Sequence, residues 1–138
     1  MKKIIIYSVI ALLVIVFGVI VINYLSNPLR KSEEQIRKNI LEITPIGMSM
    51  EDVIRVIGTK EKWVIRYTFD FGYVMKMGFP SEPDSSDFAE GKVIGEKSIR
   101  GTIGEYQNFF KVYVETYWAF DENSKLIDIA VKKDSNSF

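Results

Sequence analysis

The chain contains neither cysteine nor histidine. Without cysteine there is no disulfide, no thiolate metal site, no cysteine nucleophile and no thiol to carry a lipid. A domain outside the cytoplasm would then need a core that is stable without cross-links, which roughly 110 residues can supply. Without histidine the chain lacks the commonest general base, the serine–histidine triads and the commonest metal ligand. No S-x-x-K occurs, and the glycines at 91, 95, 101 and 104 give neither G-x-G-x-x-G nor the phosphate-loop spacing. An excess of one charge is also missing. The 18 basic residues balance 18 acidic ones, and removing Lys2 and Lys3 leaves 16 − 18 = −2 for the remainder. Nucleic-acid binding needs a concentrated basic face, so no nucleic-acid partner is expected.

One long apolar run is present. Residues 4–22, IIIYSVIALLVIVFGVIVI, carry no charge. As a helix they reach roughly 28 Å, close to the thickness of a bilayer's hydrocarbon. A cleaved signal peptide would have a shorter apolar region ending at a small-residue site, whereas this run leads into NYLSNPLRK. The expectation is an uncleaved anchor over 1–25, with the lipid bilayer as partner through 4–22, followed by one small domain over 26–138. Charge leaves the orientation open. Lys2 and Lys3 precede the run, Arg30, Lys31, Arg37 and Lys38 follow it, and long domains translocate largely regardless of such charges.

Residues 26–43 predict a helix capped by Asn27 with Pro28 at its first position. Leu29, Ile36, Ile40 and Ile43 would share a face, and Glu33–Arg37 and Glu34–Lys38 are i,i+4 pairs. The segment TPIGMSMEDVIRVIG (44–58) is dense in local signals. Pro45 and Gly47 make a turn, Ser49 caps, Asp52 completes an S-x-x-D box, Met48 and Val53 suit a staple, and Gly58 suits a left-handed cap. A helix of about eight residues is not stable alone, so this one must lean on something larger. The rest predicts strands. Trp63 to Phe71 alternate, 73–79 and 93–106 follow, 110–120 alternates strongly, DENSK (121–125) is a hairpin turn, and 126–133 closes the chain. The expected class is α+β: two short helices on one face of an antiparallel sheet of 3–5 strands.

Two of these motifs together carry a resemblance. Ile46-Gly47-Met48-Ser49 through Val53 and Gly58, with Phe120-Asp121 and Lys125-Leu126 in the last hairpin, are similar to the SmpA/OmlA (BamE-like) envelope domain family. The resemblance implies two helices against a three-stranded antiparallel sheet and a binding rather than catalytic role. The chain departs from that family in lacking the lipid-bearing cysteine, in having Thr59 after the closing glycine, and in its unmatched middle, 73–106. In IGEKSIR (94–100) and YWAFDENSKLIDI (117–129) the chain resembles small membrane-anchored proteins of Gram-positive bacteria, a resemblance that favours a domain outside the cytoplasm.

The chemistry on offer is sparse. Glu82, Asp84, Asp87 and Glu90 lie in a Pro- and Ser-rich loop and read as solvated, not as a calcium site or a paired-carboxylate centre. Asp121-Glu122-Asn123 begins like a calcium loop, but Lys125 falls where an oxygen is needed, so a plain turn is expected. No cofactor or metal is expected. Both faces of strand 110–120 are apolar or aromatic. One should pack the helices, leaving Tyr113, Glu115 and Tyr117, together with the 82–90 loop, to meet a protein partner if the tyrosines are exposed. The expected function is therefore a membrane-anchored, non-catalytic protein-binding domain of the cell envelope. The alternatives are a membrane-held immunity or inhibitor protein and, from a different class, a carboxylate-dependent hydrolase.

Overall fold

The structure, a computed structural model, describes residues 1–82 and 90–135. It divides into two compact units, Met1–Lys31 and Ser32–Phe138. The first holds α1 (Lys2–Ser26), whose span from Lys3 to Ser26 is long and apolar enough to cross a membrane, a property shared by anchors and signal sequences.

Where one helix is expected over 26–43, the chain makes two elements. Asn27 accepts a hydrogen bond from Leu29 N (3.0 Å), but with Pro28 it starts only a single 3₁₀ turn, Pro28–Arg30. Lys31 is extended, and α2 (Glu33–Ile43) starts afresh at Ser32. There the cap is reciprocal: Ser32 Oγ accepts from Gln35 N, and Gln35 Oε1 accepts from Ser32 N. A box that satisfies two end groups outcompetes a lone Asn-Pro start.

Helix α2 buries Ile36 and Ile40. Two of its charged residues, Glu33 and Arg37, turn to the last strand instead of pairing with each other, while Glu34 and Lys38 stay exposed. Arg37 Nε donates to Ile129 O (2.7 Å), its terminal nitrogen pairs with Asp128 (2.8 Å), and Glu33 Oε1 accepts from Lys133 N (2.9 Å). These bonds satisfy backbone groups along the outer edge of the last strand, which would otherwise invite another chain to pair.

Helix α3 (Met50–Gly58) is capped as expected: Ser49 Oγ accepts from Asp52 N (3.1 Å) and donates to the Asp52 carboxylate (2.7 Å). Val53 and Ile57 are buried. Gly58 does not close it in a left-handed conformation. The helix runs on to Thr59, whose hydroxyl donates to Val56 O (2.7 Å). The support that so short a helix needs comes from the far end of the sequence. Gly47 N donates to Leu126 O, Leu126 N to Met48 O and Met50 N to Ser124 O, with Ser49 bridging Lys125. Gly47, at φ +90°, makes the turn into this strap.

The strands are β1 (Val64–Phe69), β2 (Tyr73–Lys76), β3 (Phe79–Ser81), β4 (Lys92–Ile94), β5 (Lys97–Gln107), β6 (Lys111–Phe120) and β7 (Leu126–Ser135). They form two antiparallel sheets, a four-stranded one in the order β1-β5-β6-β7 and a three-stranded one in the order β3-β2-β4. The chain leaves the first for the second at Gly72, where an added Cβ would collide with the carbonyl oxygens of Ile94 and Gly95. The regular alternation expected from Trp63 to Phe71 is broken. The register against β5 skips from Ile65 to Tyr67, so Arg66 bulges.

The large sheet has a core on each face. On the first face Trp118, Thr116, Val114 and Phe120 of β6 are buried with Ile99 and Ile129. Trp118 reaches the end of α2, donating its indole N–H to Thr44 Oγ1 (3.2 Å). On the opposite face Tyr117, Ala119 and Ala130 pack with Tyr73, Met75 and Ile94 of the small sheet. Tyr73 and Tyr117 rings meet at 5.6 Å, and the Tyr73 hydroxyl donates to Asp128 (3.0 Å).

Candidate functional site

Cross-strand register maps the second face row by row. Tyr67, Arg100, Tyr117 and Ala130 form one row, and Val64, Thr102, Glu115 and Lys132 the next. Glu105, Tyr113 and Asp134 follow toward the β5–β6 turn. The cluster shared with the small sheet takes in Tyr117, Ala119 and Ala130. The rows from Glu115 onward lie outside it.

At the boundary sits Arg100. Its guanidinium donates to Glu115 (2.7 Å) and is ion-paired with Glu82, which follows β3. The rings of Tyr67 and Tyr117 stand at 6.0 and 5.8 Å on either side. Burial disfavours the arginine's charge, but the hydrogen bond and charge of Glu115 outweigh it and raise its pKa. The Tyr117 hydroxyl leans on the other Glu115 oxygen (3.4 Å). Burial first, then the Glu115 charge, push this phenol up to about 12.

Two of the three expected binding residues are therefore internal. Tyr117 is only 2% exposed, covered by Tyr73 of the small sheet, and cannot decorate a free face. Glu115 is occupied by Arg100 and Tyr117. Tyr113 stays half-buried, its ring 5.9 Å from the Lys111 ammonium, which is itself tied to Glu105 (3.0 Å). Of the acidic loop, Glu82 pairs with Arg100 and Glu90 with Lys76 (3.1 Å), while Asp84 and Asp87 lie outside the described residues. Asp121 uses one carboxylate oxygen to accept from Asn123 N and Lys125 N (both 2.9 Å), making 121–125 the turn expected of it.

Tyr113 does line an open groove of about 480 Å³, with Lys62, Val64 and Arg66 on one side and Thr102, Gly104 and Glu105 on the other. The two bulges shape it. Arg66 is the extra residue of β1 and donates from Nε to Thr102 Oγ1 (3.3 Å). The β5–β6 register skips Ile103 beside Gly104, at φ +147°. Neither Lys62 nor Arg66 has an acidic partner among the described residues. Glu105 is neutralised by Lys111, so the groove keeps a net positive lining. Lys62 and Arg66 escape a reading of periodicity alone. Their signal is a pair of cations within and just before an otherwise apolar strand.

No family model, curated protein or solved structure matches the chain.

Proposed function

We propose that the chain is a membrane-anchored, non-catalytic module of the cell envelope that binds another envelope protein through this groove. The observation that carries it is the two cations, Lys62 and Arg66, which line the groove with Tyr113 and have no acidic partner among the described residues. Such a lining suits an acidic side chain or carboxylate on a partner, and tyrosine and arginine are the residue types that supply most interface energy. In this reading α1 is the uncleaved anchor, the domain faces outside the cytoplasm, and tethering raises its concentration near a membrane-bound partner. The resemblance to the SmpA/OmlA domains points the same way. Its two motifs, far apart in sequence, lie side by side through the bridge between Ser49 and Lys125.

Charge reversal tests the proposal. After chemical cross-linking in cells, the full-length chain should retain a partner that the Lys62→Glu/Arg66→Glu double variant loses. Both residues are exposed, so folding should be unaffected. Equal retention by a folded double variant would exclude the groove.

A further inference from the structure

The β5–β6 hairpin ends on two phenylalanines turned to solvent, Phe109 and Phe110, which are 94% and 55% exposed. Their place in the fold is informative. Val112 pairs with Ser135 and Val114 with Lys133, so this tip continues the end of the sheet at which β7 finishes. Helix α2 begins at the same end, because Glu33, its first residue, takes the hydrogen bond from Lys133 N. It then runs away from the tip, past Asp128 and Ile129 at Arg37, to Trp118 at Thr44. Ser32, where the domain begins, therefore lies at the end of the sheet from which the phenylalanines project.

The chain preceding Ser32 is short. Helix α1 ends at Ser26 and the domain begins at Ser32, so the link spans at most roughly 20 Å even when fully extended. The hairpin overhangs the level of Glu33 by the strand from Val114 to Phe110, roughly 14 Å at the usual rise per residue. Overhang and link are of the same size. A second apolar tip lies nearby. Met77, 93% exposed, stands in the turn between β2 and β3, and its neighbour Gly78 shares a groove with Glu33 and Glu34.

We infer that the Phe109–Phe110 tip is a second membrane contact, entering the headgroup region of the bilayer that α1 spans and fixing the tilt of the domain. The inference rests on α1 being a membrane anchor. Aromatic and basic residues together favour that depth, and Tyr106 and Lys111 flank the pair. The occupant is lipid because the chain itself delivers this end of the domain to a bilayer. A protein partner at the same spot would have to share that narrow space.

The absence of cysteine makes the test direct. Single-cysteine full-length chains, Val14→Cys, Phe109→Cys and Ser124→Cys, are labelled with an environment-sensitive nitrobenzoxadiazole dye. They are reconstituted into vesicles of phosphatidylcholine and phosphatidylglycerol. Lipids spin-labelled deep in the acyl chain should quench the dye at 14. Lipids spin-labelled near the headgroup should remove most emission at 109 and almost none at 124, at the opposite end of the sheet. With Asn108→Cys as the reporter, Phe109→Asp/Phe110→Asp should abolish the shallow quenching. Quenching at 14 without quenching at 109 overturns this inference and leaves the anchor standing. No quenching at 14 overturns both.

Discussion

The indole of Trp118 and the hydroxyl of Thr44 are both buried, and the contact between them joins the large sheet to the end of α2. Thr44→Val keeps the shape of the side chain and removes the oxygen. Thr44 also donates from its hydroxyl to Ile40 O (3.0 Å), but that carbonyl already accepts from Thr44 N (2.7 Å), so losing the donation costs little. The main loss is the buried indole N–H left without an acceptor, about 1–3 kcal/mol. Urea unfolding of the detergent-solubilised chain, followed by near-ultraviolet circular dichroism, should show a midpoint lower by about 1 M for a domain of this size. Trp118→Phe alone opens a cavity and costs about 2 kcal/mol or more. If the hydrogen bond is the link, the double variant costs less than the two single changes together, by about 1 kcal/mol. A Thr44→Val variant within about 0.5 kcal/mol of the parent, with no coupling to Trp118→Phe, would refute this reasoning.

Three further outcomes follow from other parts of the molecule. Burial raises the pKa of Tyr117 to about 12 and that of Tyr73 further, so the folded state holds protons that the unfolded chain has released. Stability should be full below about pH 10 and fall as pH rises toward 12, and Tyr117→Phe should lessen the fall in denaturation curves taken at several pH values. Gly72→Ala drives a methyl into the Ile94 and Gly95 carbonyls and should cost about 1–3 kcal/mol, with the loss of near-ultraviolet tyrosine signal as the small sheet detaches. Ser32→Ala removes one half of the reciprocal cap of α2 and should lower stability by about 1 kcal/mol, whereas Asn27→Ala, which touches only the 3₁₀ turn, should leave the domain unchanged.

Local signals in the sequence were legible wherever the neighbours in space are also neighbours in the chain. The Ser49 cap, the Asp121 turn and the alternation of β6 are of this kind, whereas in β7 the register shifts at Ile127, which is exposed while Leu126 takes the buried place. The two-sheet division was not, because 73–79 has the same period of two whether it extends one sheet or begins another. The decisive feature, the close backbone approach at Gly72, involves residues more than twenty positions away. Arg37 and Glu33 look like ordinary helix-surface pairs until β7 arrives beside them. For the candidate site, the apolar character of both faces of β6 was visible and its meaning was not. A strand apolar on both sides is covered on both sides, and here the cover over Tyr117 is the chain's own small sheet. Only Tyr113 lies at the open groove, and the cations that give that groove its charge come from β1 and the residues before it.

The most direct measurement is site-specific photo-cross-linking in living cells, with benzoylphenylalanine in place of Tyr113 in the full-length chain. The expected result is one discrete protein adduct that disappears when Lys62→Glu and Arg66→Glu are added and that a probe at Ser124, at the far end of the sheet, does not form. An adduct that survives the charge reversal, or appears equally from Ser124, would contradict a partner held in the groove.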